Sequence, residues 1–349
     1  MPTKPIDSKL LDEAMSVLAE YKGNVTHAAA ALGIPRGTMQ GRLRSAALQG
    51  VPRIPAQELE IPVPPDPSEP ISDLIARKAA RFHRDEASRA FHKLVRIGVR
   101  TAGPVVIAAV GDPHVDDDRC DIARLIDDMT LIGKTKGMFA LHLGDITNNW
   151  VGRLGRLYAH QSTTAGDGIR LAEHMFRLAP PLAVVGGNHD MWNEGMSWLN
   201  FCVRQAGVES KLVQSHGVRL ELAFPGGVNV RLHARHDFQG HSQFNPVHGL
   251  AKEHLWGMRD HITIAGHKHY DAASVAPSPE GFCHWCFRVS GYQAHNDYAV
   301  ALNLREMKMA PTVALLIDPT AKHSAELVKP FWDLAAAADY LTFRRQKAA

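Results

Sequence analysis

The 349-residue chain has only four cysteines and lacks any long apolar run. Four cysteines are too few for a disulfide scaffold in a chain of this length, which favours a reducing compartment such as the cytoplasm. No stretch approaches the roughly 18–20 apolar residues of a membrane helix, and the first residues lack the apolar core of a secretion signal. We therefore expect a cytoplasmic protein with no membrane partner.

The cysteine spacing also argues against a thiolate zinc site. Cys283 and Cys286 are the closely spaced pair, and no second pair exists to complete such a site. The segment 281–290, which contains both, has the pattern of a strand. We expect ordinary buried thiols at the two positions.

Excess charge of one sign is small over the whole chain, at +3, but it is unevenly spread. Residues 1–103 contain 15 Lys and Arg against 11 Asp and Glu, a net charge of +4. Residues 104–349 contain 24 against 25, a net charge of −1. A polyanion, if one is bound, would therefore contact the N-terminal third.

Residues 7–48 have the spacing of three short helices. Gly23 ends the first helix, Asn24 can cap the second, Gly33 makes a tight turn, and Pro35 lies at the start of the third. Two short helices separated by a glycine turn have the geometry of a helix-turn-helix.

Residues 23–44 resemble the C-terminal helix-turn-helix of the Fis family of bacterial DNA-binding proteins. The resemblance implies a small all-α DNA-binding domain over residues 1–50 that works as a homodimer, because one helix reads too few base pairs. Gly41 departs from a good recognition helix, since glycine costs about 1 kcal/mol relative to alanine. The alternative is an accessory helical unit that packs on the enzyme or mediates dimerisation. The side chains that would face DNA are Arg36, Thr38, Gln40, Arg42 and Arg44.

A proline-rich linker and a basic helix follow this unit. Residues 51–70 contain seven prolines, which favour a stiff, extended spacer. Residues 71–103 are predicted to be a basic amphipathic helical region, with one long helix over 71–97. Its arginines either face solvent or form a phosphate-facing arm beside the next domain.

From residue 104 to residue 349 apolar runs alternate with helical patterns, as they do in α/β proteins. The predicted strands cover residues 105–110, 138–143, 182–185, 218–224, 228–236, 262–265, 282–290, 297–304 and 312–318. The fourth and fifth of these strands are predicted to form a hairpin. A C-terminal helix is predicted over residues 325–345.

Polar residues directly follow five of these strands. They are Asp112, His114, Asp145, Asn188, His189, His267 and His269, together with a histidine of the hairpin. Oxygen and imidazole donors in this mixture suit Mn²⁺, Fe and Zn²⁺ and do not suit Ca²⁺. There are more candidate ligands than one ion needs, which predicts a two-metal centre of the kind that promotes displacement at phosphorus.

This order of motifs resembles the calcineurin-like metallophosphoesterase superfamily over residues 104–320. The resemblance implies an α/β fold, a four-layer α-β-β-α sandwich, and two divalent ions, with Mn²⁺ favoured over Fe, Zn²⁺ and Ni²⁺. The implied ligands are Asp112, His114 and His269 for the first ion, Asn188, His267 and the hairpin histidine for the second, and Asp145 as the bridge. By the same resemblance, His189 would lie over the phosphate without binding metal.

Two histidines of the hairpin compete for the ligand position. His233 and His236 differ by three residues and therefore point to opposite faces of a strand. His236 shares its face with apolar residues and ends the strand, as the other candidate ligands do. We therefore prefer His236 and keep His233 as the alternative.

One departure from the superfamily concerns His189. Many members have a second aspartate three residues after the bridging one, which orients the catalytic histidine, and here that position is Asn148. An amide can accept a hydrogen bond from an imidazole but cannot balance its positive charge. Asp190 is therefore the alternative partner, and the catalytic candidates are His189, Asp145, Asp190 and Asn148.

The leading hypothesis is a metal-dependent phosphodiesterase that acts on nucleic acid and is recruited to DNA by the helix-turn-helix. This nuclease-like combination would suit a phage or mobile-element protein. The first alternative is a phosphatase or phosphodiesterase of small molecules or phosphoproteins, with the helical unit used for oligomerisation. The second alternative is a DNA-binding regulator whose phosphoesterase domain senses a nucleotide.

Overall fold

Two compact units, Met1–Lys78 and Ala79–Ala349, make up the chain in the computed structural model. The structure describes residues 6–48, 68–192, 195–207, 212–294 and 307–348. Most of the proline-rich linker and the strand predicted at 297–304 lie outside the described residues. Of the described helices, none is both long and apolar enough to cross a membrane.

Three helices form the core of the first unit. They are α1 (Ser8–Glu20), α2 (Val25–Ala31) and α3 (Arg36–Leu48). Asn24 caps α2, because its side-chain oxygen accepts hydrogen bonds from the backbone amides of Thr26 and His27 at 3.1 and 3.2 Å. The helices bury a small cluster of short or flexible side chains against one another: Ala14, Ala28, Ala29 and Met39.

The helix that follows the linker is shorter than predicted. Helix α4 spans Ile71–His92, and none of its residues is buried. The next residues form strand β1 (Val95–Gly98), which pairs in parallel with Leu220–Ala223. Two β-branched residues favour extended backbone there, and the neighbouring strand supplies hydrogen-bond partners. The prediction of helix to residue 97 was therefore wrong.

Six strands form the first sheet, called sheet I. They are β2 (Val105–Val110), β3 (Met138–His142), β4 (Pro181–Gly186), β5 (Val213–Ser215), β11 (Thr312–Ile317) and β12 (Val328–Phe331). Their order across the sheet is β12-β11-β2-β3-β4-β5. Strands β2 to β5 are parallel, whereas β11 is antiparallel to both of its neighbours.

Six strands, including β1, form the second sheet, called sheet II. The other five are β6 (Gly217–Ala223), β7 (Asn229–Arg235), β8 (Ile262–Ala265), β9 (Ala272–Pro277) and β10 (Cys283–Arg288). Their order is β1-β6-β7-β8-β10-β9. Strands β6 and β7 form the antiparallel hairpin, and β8 is parallel to both β7 and β10.

Helices flank both sheets. They are α5 (Ile122–Lys134), α6 (Ala165–Leu178), α7 (Asn188–Met191), α8 (Ser197–Gln205), α9 (His248–Trp256) and α10 (Leu334–Ala348), with short 3₁₀ segments at Gly152–His160 and Ser324–Glu326. The helix predicted over 325–345 was wrong in its first part, because β12 occupies residues 328–331 at the edge of sheet I. Asp333 then caps α10 by accepting a hydrogen bond from the amide of Ala335 at 2.8 Å.

The second unit has four layers. Alternate residues of β2 point to opposite faces: Val105, Ile107 and Ala109 join the core between the two sheets. Val106 and Ala108 join the core between sheet I and helices α5, α6, α8 and α10. Helix α9 covers the outer face of sheet II. The second unit is therefore an α-β-β-α sandwich, and strands buried on both faces explain the continuous apolar runs.

The cysteines are free thiols. Cys286 is buried in β10, and burial raises the pKa of its thiol to about 12. Cys283 is only half-buried, because it lies at the start of that strand. The prediction of burial thus holds for Cys286 and was wrong for Cys283.

Candidate metal centre

The candidate ligands converge at one edge of the sandwich. In each sheet, parallel strands bring their carboxyl ends to the same edge. Strands β2, β3 and β4 of sheet I and β7 and β8 of sheet II all end there. The residues that directly follow these strands are Asp112, His114, Asp145, Asn188, His189, His236, His267 and His269.

One group of donor atoms comes from two sheets. Asp112, His114 and His269 each offer an atom within 4.8 Å of the others. Oδ2 of Asp112 lies 3.4 Å from Nε2 of His269 and accepts a hydrogen bond from the amide of His267 at 2.8 Å. That backbone contact orients the carboxylate across the gap between the sheets.

A second group lies beside the first. Asp145, His236 and His267 offer donor atoms within 4.8 Å of one another. Nε2 of His236 lies 3.2 Å from Oδ2 of Asp145 and 3.0 Å from the side-chain oxygen of Asn188. Asp145 also belongs to a third such group, with His114 and His189. Asp145 therefore lies where the two groups meet.

The structure brings His236, and not His233, into this arrangement. Nδ1 of His236 lies 2.8 Å from the carbonyl oxygen of Leu143, so this nitrogen carries the proton and Nε2 faces the other donors. A backbone partner on the far nitrogen is the usual support of a metal-binding histidine. His233 points the other way, and its Nδ1 lies 3.5 Å from Glu253.

Several buried polar atoms of the centre have no hydrogen-bond partner among the described residues. They are Oδ1 of Asp112 and both ring nitrogens of His114. Buried polar atoms are almost always paired, because an unpaired one costs about 1–3 kcal/mol. A cation coordinated by these atoms would remove that penalty, so the residues present fit divalent metal ions.

Burial and mutual charge shift the pKa values of these side chains. Burial raises the pKa of Asp112 well above its usual value. Burial lowers the pKa of His267 and of His269 to about 4, which leaves both as neutral ligands. Burial acts against a charge on His236, but the carboxylates of Asp112 and Asp145 outweigh it and raise the pKa of His236 to about 10.

The backbone of the centre is strained. His114, Asp145, His267 and His269 have φ angles of 42°, 51°, 70° and 52°, in the left-handed region that non-glycine residues rarely adopt. Such conformations persist where the surrounding structure enforces them, and they concentrate at functional sites. Gly144 is required for a related reason, since a Cβ there would lie 2.6 Å from the amide nitrogen of Gly187.

A main-chain carbonyl is the partner of His189. Nδ1 of His189 lies 2.6 Å from the backbone oxygen of Asn148, whereas we considered the side-chain amide for this role. That amide instead donates to Asp117 at 2.8 Å and to Gln161 at 3.3 Å. The backbone N–H of Asn148 donates to Asp116 at 2.7 Å, so the carboxylates of Asp116 and Asp117 hold the loop that positions His189.

Asp190 does not take the role of carboxylate partner to His189. Its two oxygens accept hydrogen bonds from the backbone amides of Ile146 (3.1 Å) and Gly187 (2.8 Å). Burial, and then the nearby charge of Asp145, raise its pKa to about 7. Asp190 therefore ties the loop after β3 to the loop after β4, and the expectation that it would orient His189 was wrong.

Sequence reasoning missed Arg288, which is fully buried in β10. Its guanidinium donates to the carbonyl of Gly266 at 2.8 Å and to the carboxylate of Asp237 at 3.0 Å. These two residues adjoin His267 and His236, so Arg288 holds together the loops that carry both histidines. A single arginine in an otherwise apolar strand was the signal that could have revealed it.

The DNA-binding candidates on α3 differ in how far their side chains are exposed to solvent. Arg36, Thr38, Gln40 and Arg44 are exposed. Arg42 is only 16% exposed and lies 3.8 Å from Glu13 of α1, so the structure directs it into the helical unit. The expectation that Arg42 faces DNA was therefore wrong, because residues four apart on α3 share a face and Arg42 lies on the opposite one.

Comparisons with known proteins give similarity at the level of structure alone. No family model and no curated protein matches the sequence. The structure is similar to Zn²⁺-complexed Vps29 from Entamoeba histolytica, with 14% identity and a TM-score of 0.34 over 65% of this chain and 97% of that one. It is also similar to the calcineurin-like phosphoesterase YfkN from Bacillus subtilis, with 13% identity and a TM-score of 0.34 over 70% and 96% of the chains.

Proposed function

We propose that the chain is a metal-dependent phosphoesterase with a dinuclear centre. The observation that carries the proposal is the position of Asp145, which groups with His236 and His267 on one side and with His114 on the other. Asp112, His114 and His269 would hold the first ion, and Asp145, His236 and His267, completed by Asn188, the second. Two divalent ions there, with Mn²⁺ as the first choice, would supply Lewis acidity toward phosphate oxygens and lower the pKa of water.

His189 would act on the phosphate through Nε2. Because a carbonyl can only accept, the contact with Asn148 requires the proton on Nδ1 of His189. Nε2 then faces the centre, 4.0 Å from Oδ2 of Asp145. In the imidazolium form, which carries a proton on both ring nitrogens, Nε2 can donate a hydrogen bond to a phosphate oxygen or a proton to the leaving oxygen.

Metal loading and hydrolysis test the proposal together. The purified full-length chain should bind two Mn²⁺ per molecule in an equilibrium titration and should then hydrolyse bis-p-nitrophenyl phosphate. Binding of a single ion, or two bound ions without hydrolysis of either a phosphodiester or p-nitrophenyl phosphate, would contradict it. Fe, Zn²⁺ and Ni²⁺ form the other arms of the same titration.

We also propose that the substrate is nucleic acid and that the N-terminal unit brings a homodimer to DNA. The support is the row of exposed Arg36, Gln40 and Arg44, which lie four residues apart on α3 and so share one face. We expect the protein to act on DNA in the cytoplasm. Hydrolysis rates on duplex DNA, single-stranded DNA, mononucleotide esters and phosphoproteins distinguish a nuclease from a phosphatase or phosphodiesterase of small molecules or phosphoproteins.

Two neighbouring arginines test the DNA contact. Arg44→Ala should lower DNA affinity and reduce the slope of log affinity against log salt by about 1. Arg42→Ala is the matched control and should leave that slope unchanged, because Arg42 faces Glu13. Equal effects of the two substitutions would refute the proposed DNA face, and sedimentation of the full-length chain checks the dimer.

A further inference from the structure

Two tryptophan rings lie against His189. The ring centroid of Trp192 is 4.1 Å from that of His189, with an interplanar angle of 39°. The ring centroid of Trp150 is 5.3 Å from that of His189, and the two rings meet edge to face. The ring centroids of the two tryptophans are 6.5 Å apart. Trp150 follows β3, whereas His189 and Trp192 both follow β4, so the ends of two neighbouring strands bring the three rings together.

These tryptophans differ from others in the chain. Trp198, Trp285 and Trp332 pack against the hydrophobic cores. Within the part of the chain that the structure describes, Trp150 and Trp192 join none of those cores, and both are only half-buried. Large aromatic surface left partly open beside a reactive group is typical of a ligand site.

The polar atom of Trp150 is already satisfied within the protein. Its indole nitrogen donates to the side-chain oxygen of Gln161 at 3.1 Å. The ring therefore needs no hydrogen bond from a ligand, and what it offers is its face and edge. Trp192 is fixed through its backbone, which donates to the carbonyl of His189 at 3.3 Å.

A basic segment follows Trp150 directly. The 3₁₀ segment Gly152–His160 carries Arg153 and Arg156, both exposed. Residues three apart lie on the same side of a 3₁₀ helix, so the two guanidinium groups share a side. Aromatic rings beside arginines are the combination with which proteins bind single-stranded nucleic acid, the rings stacking bases and the cations contacting phosphates.

We infer that Trp150 and Trp192 form a stacking subsite for an unpaired nucleobase attached to the phosphate at His189, with Arg153 and Arg156 contacting the neighbouring phosphates. The inference rests on the proposed function and narrows its substrate to nucleotide esters and single-stranded nucleic acid. A base within a duplex is already stacked and cannot reach the rings without being extruded.

A pair of dinucleotides tests the subsite. Thymidylyl-thymidine and the same dinucleotide with tetrahydrofuran abasic residues present one phosphodiester with and without bases. Trp192→Leu and Trp150→Leu in the full-length, Mn²⁺-loaded chain should each raise KM for the base-bearing substrate roughly tenfold. The variants should leave kcat, and both constants for the abasic substrate, nearly unchanged. Trp192→Phe keeps a flat ring and should restore most of the affinity.

Two controls separate stacking from a packing role. Trp256→Leu, at an 85% exposed position of α9, should affect neither substrate. A role in merely orienting His189 would instead lower kcat equally on both dinucleotides, and that result would overturn the inference. Comparison of thymidine oligomers with single mononucleotide esters then shows whether the base comes from a polymer.

Binding without catalysis keeps the two proposals apart. Thymidine 5′-monophosphate should quench tryptophan fluorescence of the chain, whereas deoxyribose 5-phosphate should not, and Trp192→Leu should remove most of the quenching. No hydrolysis of any ester together with normal quenching would refute the phosphoesterase and support the subsite. Hydrolysis of bis-p-nitrophenyl phosphate with equal quenching by both phosphates would refute the subsite alone.

Discussion

Strand β8 has polar residues at both of its ends, and the two ends differ in how these residues are partnered. Asp260 and His261 precede the strand, and His267 and His269 follow it. Both ends contain carboxylates and several imidazoles close together. At the end that follows the strand, donor atoms lack protein partners and the backbone is strained.

At the end that precedes the strand, the carboxylate is saturated by cations. Asp260 is completely buried, and Arg219 binds both of its oxygens at 2.6 and 2.7 Å. Arg231 lies 3.3 Å away, and Nδ1 of His284 lies 2.7 Å from the backbone oxygen of Asp260. Within the described residues, the possible metal-holding groups all lie at the other end. Residue type is therefore shared, and the two ends differ in what faces their carboxylates: arginines at Asp260, and histidines at Asp112 and Asp145.

The largest effect should come from Asp145→Asn. The amide keeps the size of the side chain but removes the charge that would lie between two cations, so kcat/KM for bis-p-nitrophenyl phosphate should fall about 1000-fold or more. Circular dichroism should show that the metal-free variant is folded, with a lower melting temperature because His236 loses one of the carboxylates that stabilise its charge. Activity within tenfold of wild type would show that Asp145 does not bridge.

Asp260→Asn should have the converse effect. Removing this carboxylate leaves Arg219 largely buried without its partner, and breaking such a pair should lower the free energy of unfolding by about 3 kcal/mol. Urea denaturation measures this loss, and activity per folded molecule should change less than twofold. A large loss of activity in the folded variant would contradict the assignment of a structural role to the Asp260 end of β8 and a catalytic role to the other end.

Arg288→Met should weaken metal binding without removing a ligand. The loops of His236 and His267 would lose their shared anchor, and loss of such indirect support typically lowers metal affinity 10- to 100-fold. Titration calorimetry with Mn²⁺ measures the change. Arg231→Met is the matched control at the opposite end of sheet II and should leave the affinity as it is.

The smallest effect should be proton release on metal binding. The pKa of His236 is about 10 against an ordinary 6.5, so its protonated form stabilises the metal-free fold below pH 6.5, and this stability is lost as the pH rises toward 10. Mn²⁺ needs the neutral ring, so binding at pH 7.5 should release about one proton per chain from His236, besides the contribution of Asp112, whose pKa burial raises. Calorimetry in buffers of different ionisation enthalpy measures it. His261, whose pKa burial lowers to about 4, adds none, and His236→Gln should lower the release by about one proton.

The centre was predictable because its residues directly follow strands with clear apolar patterns. Asp112, Asp145 and His269 needed only strand ends and chain order to be placed at one edge. The choice of His236 over His233 came from the period of two along a strand. The four layers of the sandwich were implied by the family resemblance, and strands that are apolar on both faces agree with them.

The parts that were missed depend on contacts between distant residues. Strand β1 is four residues long, and only its pairing with β6, more than 100 residues later, makes it a strand. The position of Arg42 depends on Glu13. The partners of Asp190 are backbone amides, which leave no trace in side-chain chemistry. Local propensity contains none of this information.

The contact between His189 and the carbonyl of Asn148 has a consequence for how this protein can vary. Every amino acid carries that carbonyl, so no substitution at position 148 deletes the acceptor itself. Replacement there acts only through the loop, by removing the side-chain hydrogen bonds to Asp117 and Gln161, whereas the backbone bond to Asp116 stays. The tautomer of His189 is therefore independent of which residue stands at position 148, and a substitution there should act through the stability of the loop rather than through the identity of the acceptor.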